Sequence, residues 1–544
     1  MKLVTVAEMQ AVERQADAGG LTYSQMMEHA GLGLAEVVKE EYGELLSDGV
    51  LGLVGPGNNG GDTLVALAHL AAQGWQASAY LVRPRLADDP LVERLVQSGG
   101  EMVSSESDTD YQRLLSLLDR SAILLDGVLG TGFRLPLRGE TAEVIRAVGI
   151  YIQTHSGLLK VVAVDCPSGV DCDSGEASPE SLPADLTVTM AAVKTGLLRP
   201  PASRLAGELR AVGIGLEKMK KPPQAWREVH REIVDREMVR SILPDRPAEA
   251  HKGTFGTVLV VAGSVNYTGA ALLAGKAAYR AGAGLVTLAV PEPLYAPLAG
   301  HFPEATWLLL PDEMGVIAEP AADIIWENLG RPTALLIGPG FGLEEPTRKF
   351  MARLLGGSQH ARRATLGFVH AENKAGDGRK AQLPPLVIDA DGLKLLARLP
   401  DWPAQLPGIA VLTPHPGEMA ILTGLDVQEI QADRQAAAER FAREWQHVVV
   451  LKGAHTVVAA PDGRMRIIPV ATAALARAGT GDVLAGLIAG LRAQEVEAFD
   501  AAAAGCWIHA QCGLAAAAQL GSTAAVIAGD VLEAVSQVMG RLGK

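Results

Sequence analysis

Two consecutive α/β domains, each built on a mostly parallel sheet with helices over both faces, are what the sequence predicts. Three observations carry this. The chain has 544 residues, and single hydrophobic cores stop growing near ~250–300, so two cores are expected. Short apolar runs alternate with helical stretches in both halves, the pattern of strands buried on both faces. Glycine is frequent (60 residues) and aromatics are scarce (4%), which suits tight strand-to-helix turns.

In order along the chain, residues 49–54 (GVLGLV) read as a buried strand. A glycine-rich turn follows, then an amphipathic helix from about Leu64 to Gln73. Further strands are expected at 77–82, 122–125, 160–164, 186–190 and 208–214. After Gly215 the composition becomes charged and proline-marked, with one short helix expected at 233–243. The junction falls there, giving domains 1–225 and 226–544. The second run of strands is expected at 257–261, 285–290, 334–337, 386–388, 410–412 and 448–451. Residues 456–460 and 465–468 flank Pro461-Asp462-Gly463 as a hairpin. Residues 357–384 are rich in Gly, His, Arg and Lys without periodicity and read as a solvated surface insertion. Alanine-rich helices close the chain.

The totals exclude several classes. A 48% hydrophobic, 20% charged chain is not disordered. A net charge of −14 disfavours general binding to nucleic acid or to an anionic membrane. Four cysteines are too few for a disulfide framework, and a reducing cytosol is expected. Glu8, Glu13 and Arg14 interrupt the place of a signal-peptide core, and no uncharged run approaches the ~20 residues of a membrane span. A cytoplasmic, homo-oligomeric enzyme acting on small molecules is expected.

Gly55-Pro56-Gly57-Asn58-Asn59-Gly60-Gly61-Asp62 follows a strand and opens a helix, containing G-x-G-x-x-G in a dinucleotide-binding context. Glycines allow close approach of backbone to phosphate, and a helix N-terminus offers unpaired N–H groups. The ribose-binding acid expected ~20 residues on is absent; Arg83 and Arg85 stand there. A structural glycine turn is the plainer alternative. Two more strand ends are polar, Asp126-Gly127-Val128-Leu129-Gly130-Thr131-Gly132-Phe133 and Asp165-Cys166-Pro167-Ser168-Gly169. Oxygens of Asn59, Asp126 and Ser168 suit a hard cation, although a lone aspartate is more often a cap.

In order, GPGNNGGD, DGVLGTGF, AVDCPSGVDCDSG and ADLTVTMAAVKTGLL resemble the NAD(P)H-hydrate epimerase domain of the YjeF N-terminal family, over about residues 1–215. The resemblance implies a Rossmann-like three-layer domain with K+ at Asn59, Asp126 and Ser168. It implies substrate contacts from Asn58, Asn59, Gly60, Gly61 and Asp62, and from Gly130, Thr131, Gly132, Phe133, Arg134, Leu135 and Pro136. Asp165 would be the acid/base at the reacting carbon. Thr63 stands where the family usually has glycine, and its side chain is expected to crowd the substrate.

In the second half, Gly479-Thr480-Gly481-Asp482 opens a helix. Successive N–H groups in such a turn form an anion nest for a transferring phosphoryl group, and Asp482 could take a proton from an attacking hydroxyl. An N-cap aspartate is the plainer alternative. No Walker A loop occurs. Phosphoryl transfer on Gly-Thr-Gly-Asp without a P-loop resembles the ribokinase-like fold. HKGTFGTVLVVAGS, TGAALLAGKAAYRAGAGLVTLAVP, IGPGFG, TPHPGE, VLKGAHT and GTGDVLAG resemble the ADP/ATP-dependent NAD(P)H-hydrate dehydratase family over about residues 226–544. This resemblance implies a ribokinase-like α/β domain that binds the nucleotide at Lys452, Gly453, Ala454, His455, Thr456 and Gly481. It implies hydrate contacts from Ala270, Gly340 or Gly342, His415 and Asp482. The co-substrate would be ADP or ATP with Mg2+, and the substrates hydrated NADH and NADPH (NADHX and NADPHX). Two departures are the ATAALARAG stretch before Gly-Thr-Gly-Asp and the 357–384 insertion.

Cys506, His509 and Cys512 imitate a metal site. On a helix, positions six apart lie about 240° round the axis, so the sulfurs face apart and small core residues are the better reading. A small-molecule kinase and a non-catalytic binding scaffold remain the rival functions.

Overall fold

The computed structural model describes residues 1–86, 88–155, 157–356 and 382–543. Most of the expected 357–384 insertion thus lies outside the described residues. The chain divides into two compact units, Met1–Arg231 and Glu232–Lys544.

The first unit is built on seven parallel strands: β1 (Val50–Val54), β2 (Ala77–Leu81), β3 (Glu101–Ser104), β4 (Ile123–Gly127), β5 (Lys160–Val164), β6 (Leu186–Met190) and β7 (Glu208–Val212). Their spatial order is β3-β2-β1-β4-β5-β6-β7, every pair parallel. The order reverses between β1 and β4, and ligands of such sheets bind outside the strand C-termini at that reversal. Alternation along β1 sends Val50 and Val54 to one face and Leu51 and Leu53 to the other. Helices Tyr23–Tyr42 and Asn58–Ala72 cover the first face with Leu34, Val38, Leu64 and Leu67. Helices Gln112–Asp119 and Gly139–Thr154 cover the other with Leu114, Leu117, Val144 and Val148. This is the three-layer Rossmann-like arrangement. Each fully buried leucine contributes about 1.5–3 kcal/mol relative to exposure.

One expectation changes. The helix after β1 starts at Asn58, not near Leu64. The glycine-rich motif is therefore its first turns rather than a preceding loop.

The second unit has parallel strands β8 (Thr257–Val261), β9 (Leu285–Pro291), β10 (Thr306–Leu310), β11 (Ala334–Ile337), β12 (Leu386–Ile388), β13 (Val411–Leu412) and β14 (Val448–Leu451). The antiparallel hairpin β15 (Val457–Ala459) and β16 (Met465–Ile467) extends it. The order is β16-β15-β14-β13-β12-β11-β8-β9-β10, with the short strand Arg231–Ile233 beside β16. That strand sits in the charged, proline-marked stretch, where the sequence carries little strand signal, and the short helix there is Arg236–Ile242. The reversal lies between β8 and β11. Helices Gly269–Arg280 and Thr480–Ala493 pack at backbone distance: a Cβ on Gly486 would lie 2.1 Å from the Ala274 carbonyl oxygen. Among the described residues, no helix is long and apolar enough to cross a membrane, and all four cysteines are free and buried.

Candidate active sites

In the first unit the turn after β1 closes on itself. A Cβ on Gly60 would lie 2.0 Å from the Gly55 carbonyl oxygen, and one on Gly55 would lie 1.8 Å from that of Val128. This closure brings the N-terminus of helix Asn58–Ala72 over the β1/β4 reversal. A cavity of about 520 Å³ opens there, lined by Asn58, Asn59, Asp62, Gly130, Thr131, Gly132, Phe133 and Asp165. Gly60 and Gly61 lie beneath the lining, Gly61 against the Met27 side chain. Arg134, Leu135 and Pro136 continue the loop beyond the lining, which stops at Phe133.

Asn59, Asp126 and Ser168 come together behind the cavity. The Ser168 amide donates to Asp126 Oδ2 at 2.8 Å, and the Leu129 amide donates to Ser168 Oγ at 2.9 Å. Asn59 Nδ2 donates to the carbonyls of Val164 (2.5 Å) and Leu129 (3.2 Å). Asp126 Oδ1 is sealed from solvent without a hydrogen-bond partner among the described residues. Burial pushes the Asp126 carboxyl above its ordinary range, and the Ser168 hydroxyl and amide offset only part of this. An orphaned carboxylate oxygen amid amide, hydroxyl and carbonyl oxygens fits a hard monovalent cation. Among the described residues, no group of three His, Cys, Asp or Glu side chains is arranged to hold a metal ion.

Asp165 ends β5 with φ 67, the left-handed region that non-glycine residues rarely occupy. Its Oδ1 accepts from the Lys194 ammonium, the Met190 amide (2.9 Å) and the Thr189 hydroxyl (3.1 Å). Lys194 is 1% exposed and lines the same cavity, as does Glu13. Burial disfavours the Lys194 ammonium, but the Asp165 carboxylate more than offsets this and leaves its pKa raised. Sequence reading assigned a role to neither Lys194 nor Glu13. The available signal was a lysine inside the apolar run AAVKTGLL, which is stable only with a buried counter-charge.

Thr63 does not crowd the cavity. It is wholly buried, and its hydroxyl donates to the Asn59 carbonyl at 2.7 Å. Its side chain fills the space left by two glycines. A Cβ on Gly127 would lie 1.9 Å from Thr63 Oγ1, and one on Gly52 would lie 2.7 Å from Cγ2. Thr63→Ala is therefore expected to lower thermal stability yet leave kcat/KM of the first unit unchanged; a faster variant would restore the crowding view.

In the second unit, loops that follow five strands, β8, β11, β12, β13 and β14, converge with the N-terminus of helix Thr480–Ala493. The Gly263 amide after β8 donates to the Pro339 carbonyl after β11 at 2.8 Å. Gly340 (φ 67) lies against Ala270: a Cβ there would sit 2.8 Å from the Ala270 Cβ. Gly342 is held separately, its amide donating to Asp391 Oδ2 at 3.0 Å. After β12, buried Asp389 accepts from Lys452 Nζ and Thr413 Oγ1, both at 2.7 Å and both on Oδ1. A Cβ on Gly481 would lie 3.7 Å from both Lys452 Nζ and Asp389 Oδ2. Lys452, Gly481, Asp482 and Asp389 thus form one cluster, and Asp389 was not singled out from sequence.

Asp482 stands in the first turn of helix Thr480–Ala493, whose N-cap Gly479 is left-handed (φ 87). Its pKa is pushed up to about 7, by burial first and by the Asp389 charge next, with Lys452 pulling the other way. His415 caps helix Pro416–Thr423, its Nδ1 accepting from Gly417 and Glu418 amides at 3.0 and 3.3 Å. Glu418 lies 3.7 Å from Lys452 Nζ, which links His415 to the cluster. The segment Lys452, Gly453, Ala454, His455 and Thr456 is fixed by Arg434. That guanidinium donates to the carbonyls of Leu451 (2.8 Å) and Ala454. Thr456 Oγ1 donates to the Gly453 carbonyl at 2.9 Å, and His455 (φ 52) donates its amide to the Val470 carbonyl at 3.0 Å. Cys506, His509 and Cys512 all lie buried on helix Ala498–Leu520. Burial takes the His509 pKa down to about 4 and both thiols up to about 12.

Residues 258–535 match the family model described as NAD(P)H-hydrate dehydratase, and residues 23–196 match that of the YjeF-related protein N-terminus. The bifunctional NAD(P)H-hydrate repair enzyme Nnr of Moorella thermoacetica is 36% identical, across 100% of this chain and 97% of that protein. Its counterpart in Salinibacter ruber is 34% identical over 98% of this chain and 96% of that one. A solved ADP/ATP-dependent NAD(P)H-hydrate dehydratase of Bacillus subtilis is 32% identical, over 57% of this chain and 98% of that one, with a TM-score of 0.46. The chain belongs to the family of bifunctional NAD(P)H-hydrate repair enzymes.

Proposed function

We propose that the first unit interconverts the R and S hydrates of NADH and NADPH, and that the second dehydrates the S hydrate at the expense of ADP or ATP, releasing AMP or ADP and phosphate. The observation that carries this is the cluster of Asp482, Lys452 and Gly481 at a helix N-terminus, where a base, a cation and the Gly479 and Gly481 amides meet. The C6 hydroxyl of the hydrate is a poor leaving group. Asp482 would take its proton as it attacks the terminal phosphoryl of the nucleotide. The Gly479 and Gly481 amides would stabilise the charge on that phosphoryl, and Lys452 would attract the nucleotide phosphates. Magnesium accompanying the nucleotide would supply further charge neutralisation at the phosphoryl group that Lys452 and the Gly481 amide attract. The ring nitrogen lone pair then expels phosphate, and loss of the C5 proton restores the dihydropyridine. In the first unit, Asp165 would handle the proton that moves as C6 inverts.

A mixture of R and S hydrated NADH, given to the protein with potassium, magnesium and either nucleotide, should regain all its absorbance at 340 nm. Recovery stopping at the S fraction would remove the epimerase half. A phosphorylated product released intact would instead mean a small-molecule kinase.

A potassium ion bound by Asn59, Asp126 and Ser168 would satisfy Asp126 Oδ1 and balance its buried charge. Potassium chloride in place of choline chloride at equal ionic strength is then expected to raise the melting temperature and the epimerisation rate together. Asp126→Ala should abolish the difference between the two salts.

A further inference from the structure

Asp165 takes all its protein hydrogen bonds on one oxygen. Oδ1 receives the Lys194 ammonium, the Met190 amide and the Thr189 hydroxyl, whereas Oδ2 receives none among the described residues. Oδ2 is therefore the oxygen left for the cavity that Asp165 lines. The Lys194 ammonium is fully engaged. Besides Asp165, it donates to Thr189 Oγ1 at 3.1 Å and to the Met190 carbonyl at 3.2 Å. With three donors and three acceptors, it has no proton left to offer a substrate, so whatever it does, it does through Asp165.

The cavity also holds Asp62, 6% exposed, whose carboxyl has neither a counter-ion nor a hydrogen-bond donor among the described residues. A buried carboxylate with no partner is costly, and neutralising it removes the cost. The other titratable groups around this pair are Glu13, Tyr23, Lys194 and the buried thiols of Cys166 and Cys172. Glu13 and Asp165 are both negative influences on Asp62, and Lys194 is the one cation among the described residues that acts on it. Of the three carboxyl groups on this cavity, Glu13, Asp62 and Asp165, only Asp165 is ion-paired among the described residues, and Asp62 is the more buried of the other two; Asp62 and Asp165 are set up for opposite proton duties.

We propose that Lys194 is a positioning residue that keeps Asp165 as the anionic base of the cavity, and that Asp62 is its acid partner, the two exchanging one proton as C6 inverts. The inference rests on the epimerase reading of this unit. Asp62 protonates the C6 hydroxyl. The C6–O bond breaks with its electron pair leaving on water, and the ring nitrogen lone pair forms the N1=C6 bond. Water adds to the opposite face, the N1=C6 pair returns to nitrogen, and the surplus proton of that water passes to Asp165 Oδ2. One proton has crossed from Asp62 to Asp165; once product leaves, exchange with water in the cavity returns Asp165 to the anion and Asp62 to the acid for the next turnover. Burial and the Asp165 charge push the Asp62 carboxyl well above the usual range, in keeping with its role as the acid.

The test follows conversion of R to S hydrated NADH without nucleotide, from about pH 5 to 9, in the full chain and its variants. Lys194→Met is expected to move the rising limb of kcat/KM up by at least about one pH unit, a loss of about tenfold near the foot of the limb that shrinks at high pH. Lys194→Arg should restore most of it, and Thr189→Val should shift the limb slightly the same way. Asp62→Asn should remove the falling limb. Thermal melting of the first unit reports that each variant is folded, and S-hydrate dehydration reports that the second unit is intact. A Lys194→Met loss equal at every pH, with Arg no better than Met, overturns the inference, as does an Asp62→Asn profile that keeps both limbs. Should Lys194→Met not fold, Thr189→Val decides by shifting the limb or leaving it in place. An unsubstituted chain that does not epimerise overturns the epimerase reading itself, a result no variant could imitate.

Discussion

Asp482→Asn is expected to slow dehydration of the S hydrate by about 10²–10⁴-fold, the usual worth of a positioned general base, and to leave epimerisation untouched. The amide keeps the shape of the side chain and cannot accept the hydroxyl proton. The Gly479 and Gly481 amides and Lys452 remain, so nucleotide binding should survive, and the loss should fall on kcat. The carboxyl, pushed up to about 7, must be ionised to act. Dehydration by the unsubstituted protein should therefore rise through about pH 7. Stability runs the other way. A carboxyl whose folded pKa lies above its unfolded value favours the folded state at low pH and loses that contribution as pH rises through the folded value. The Asp482→Asn variant should thus gain melting temperature relative to its parent between about pH 4 and pH 7, and keep that gain above. Melting curves at the two ends of this window check it, and a parent that melts higher at alkaline pH would contradict the raised pKa.

Asp165→Asn is expected to do the reverse: to slow R-to-S conversion by about 10²–10⁴-fold and leave dehydration of pure S hydrate intact. It also carries a structural cost that Asp482→Asn does not. Lys194 is 1% exposed, and its ammonium would lose its counter-charge in a dry site. Removing one partner of a buried pair costs about 3–5 kcal/mol. The first unit should melt earlier, while the second still dehydrates the S hydrate. Equal effects of both substitutions on both reactions would refute the division of labour between the units.

Most of the fold was readable because the central strands are short continuous apolar runs. TVLVV, ALLI and VVVL became strands at the positions their composition indicated. Two edge strands were not readable: Glu101–Ser104 and Thr306–Leu310 are half exposed and carry no clean period. The start of helix Asn58–Ala72 was missed because two glycines are poor helix formers, and here the tight approach of Gly60 to Gly55 overrides that propensity. In the sites, residues on marked turns could be named from sequence. Lys194 and Asp389 could not, because each owes its place to a partner far along the chain: Asp165 for one, Lys452 for the other. Thr63 looked obstructive only because its vacant space, at Gly52 and Gly127, belongs to strands that a linear reading does not place beside it.

The closed turn after β1 separates two kinds of constraint that a glycine motif normally confounds. Gly55 and Gly60 have no room for a methyl group in the empty protein, whereas a Cβ on Gly57 would meet nothing within 4 Å at an ordinary φ of −91. A library randomised at these three codons and sorted for folded protein alone should return glycine at 55 and 60 and many residues at 57. The same library sorted for repair of hydrated cofactor should return glycine at 57 only if the bound substrate itself occupies that space. The difference between the two harvests at one codon would report how closely the dinucleotide lies on the backbone.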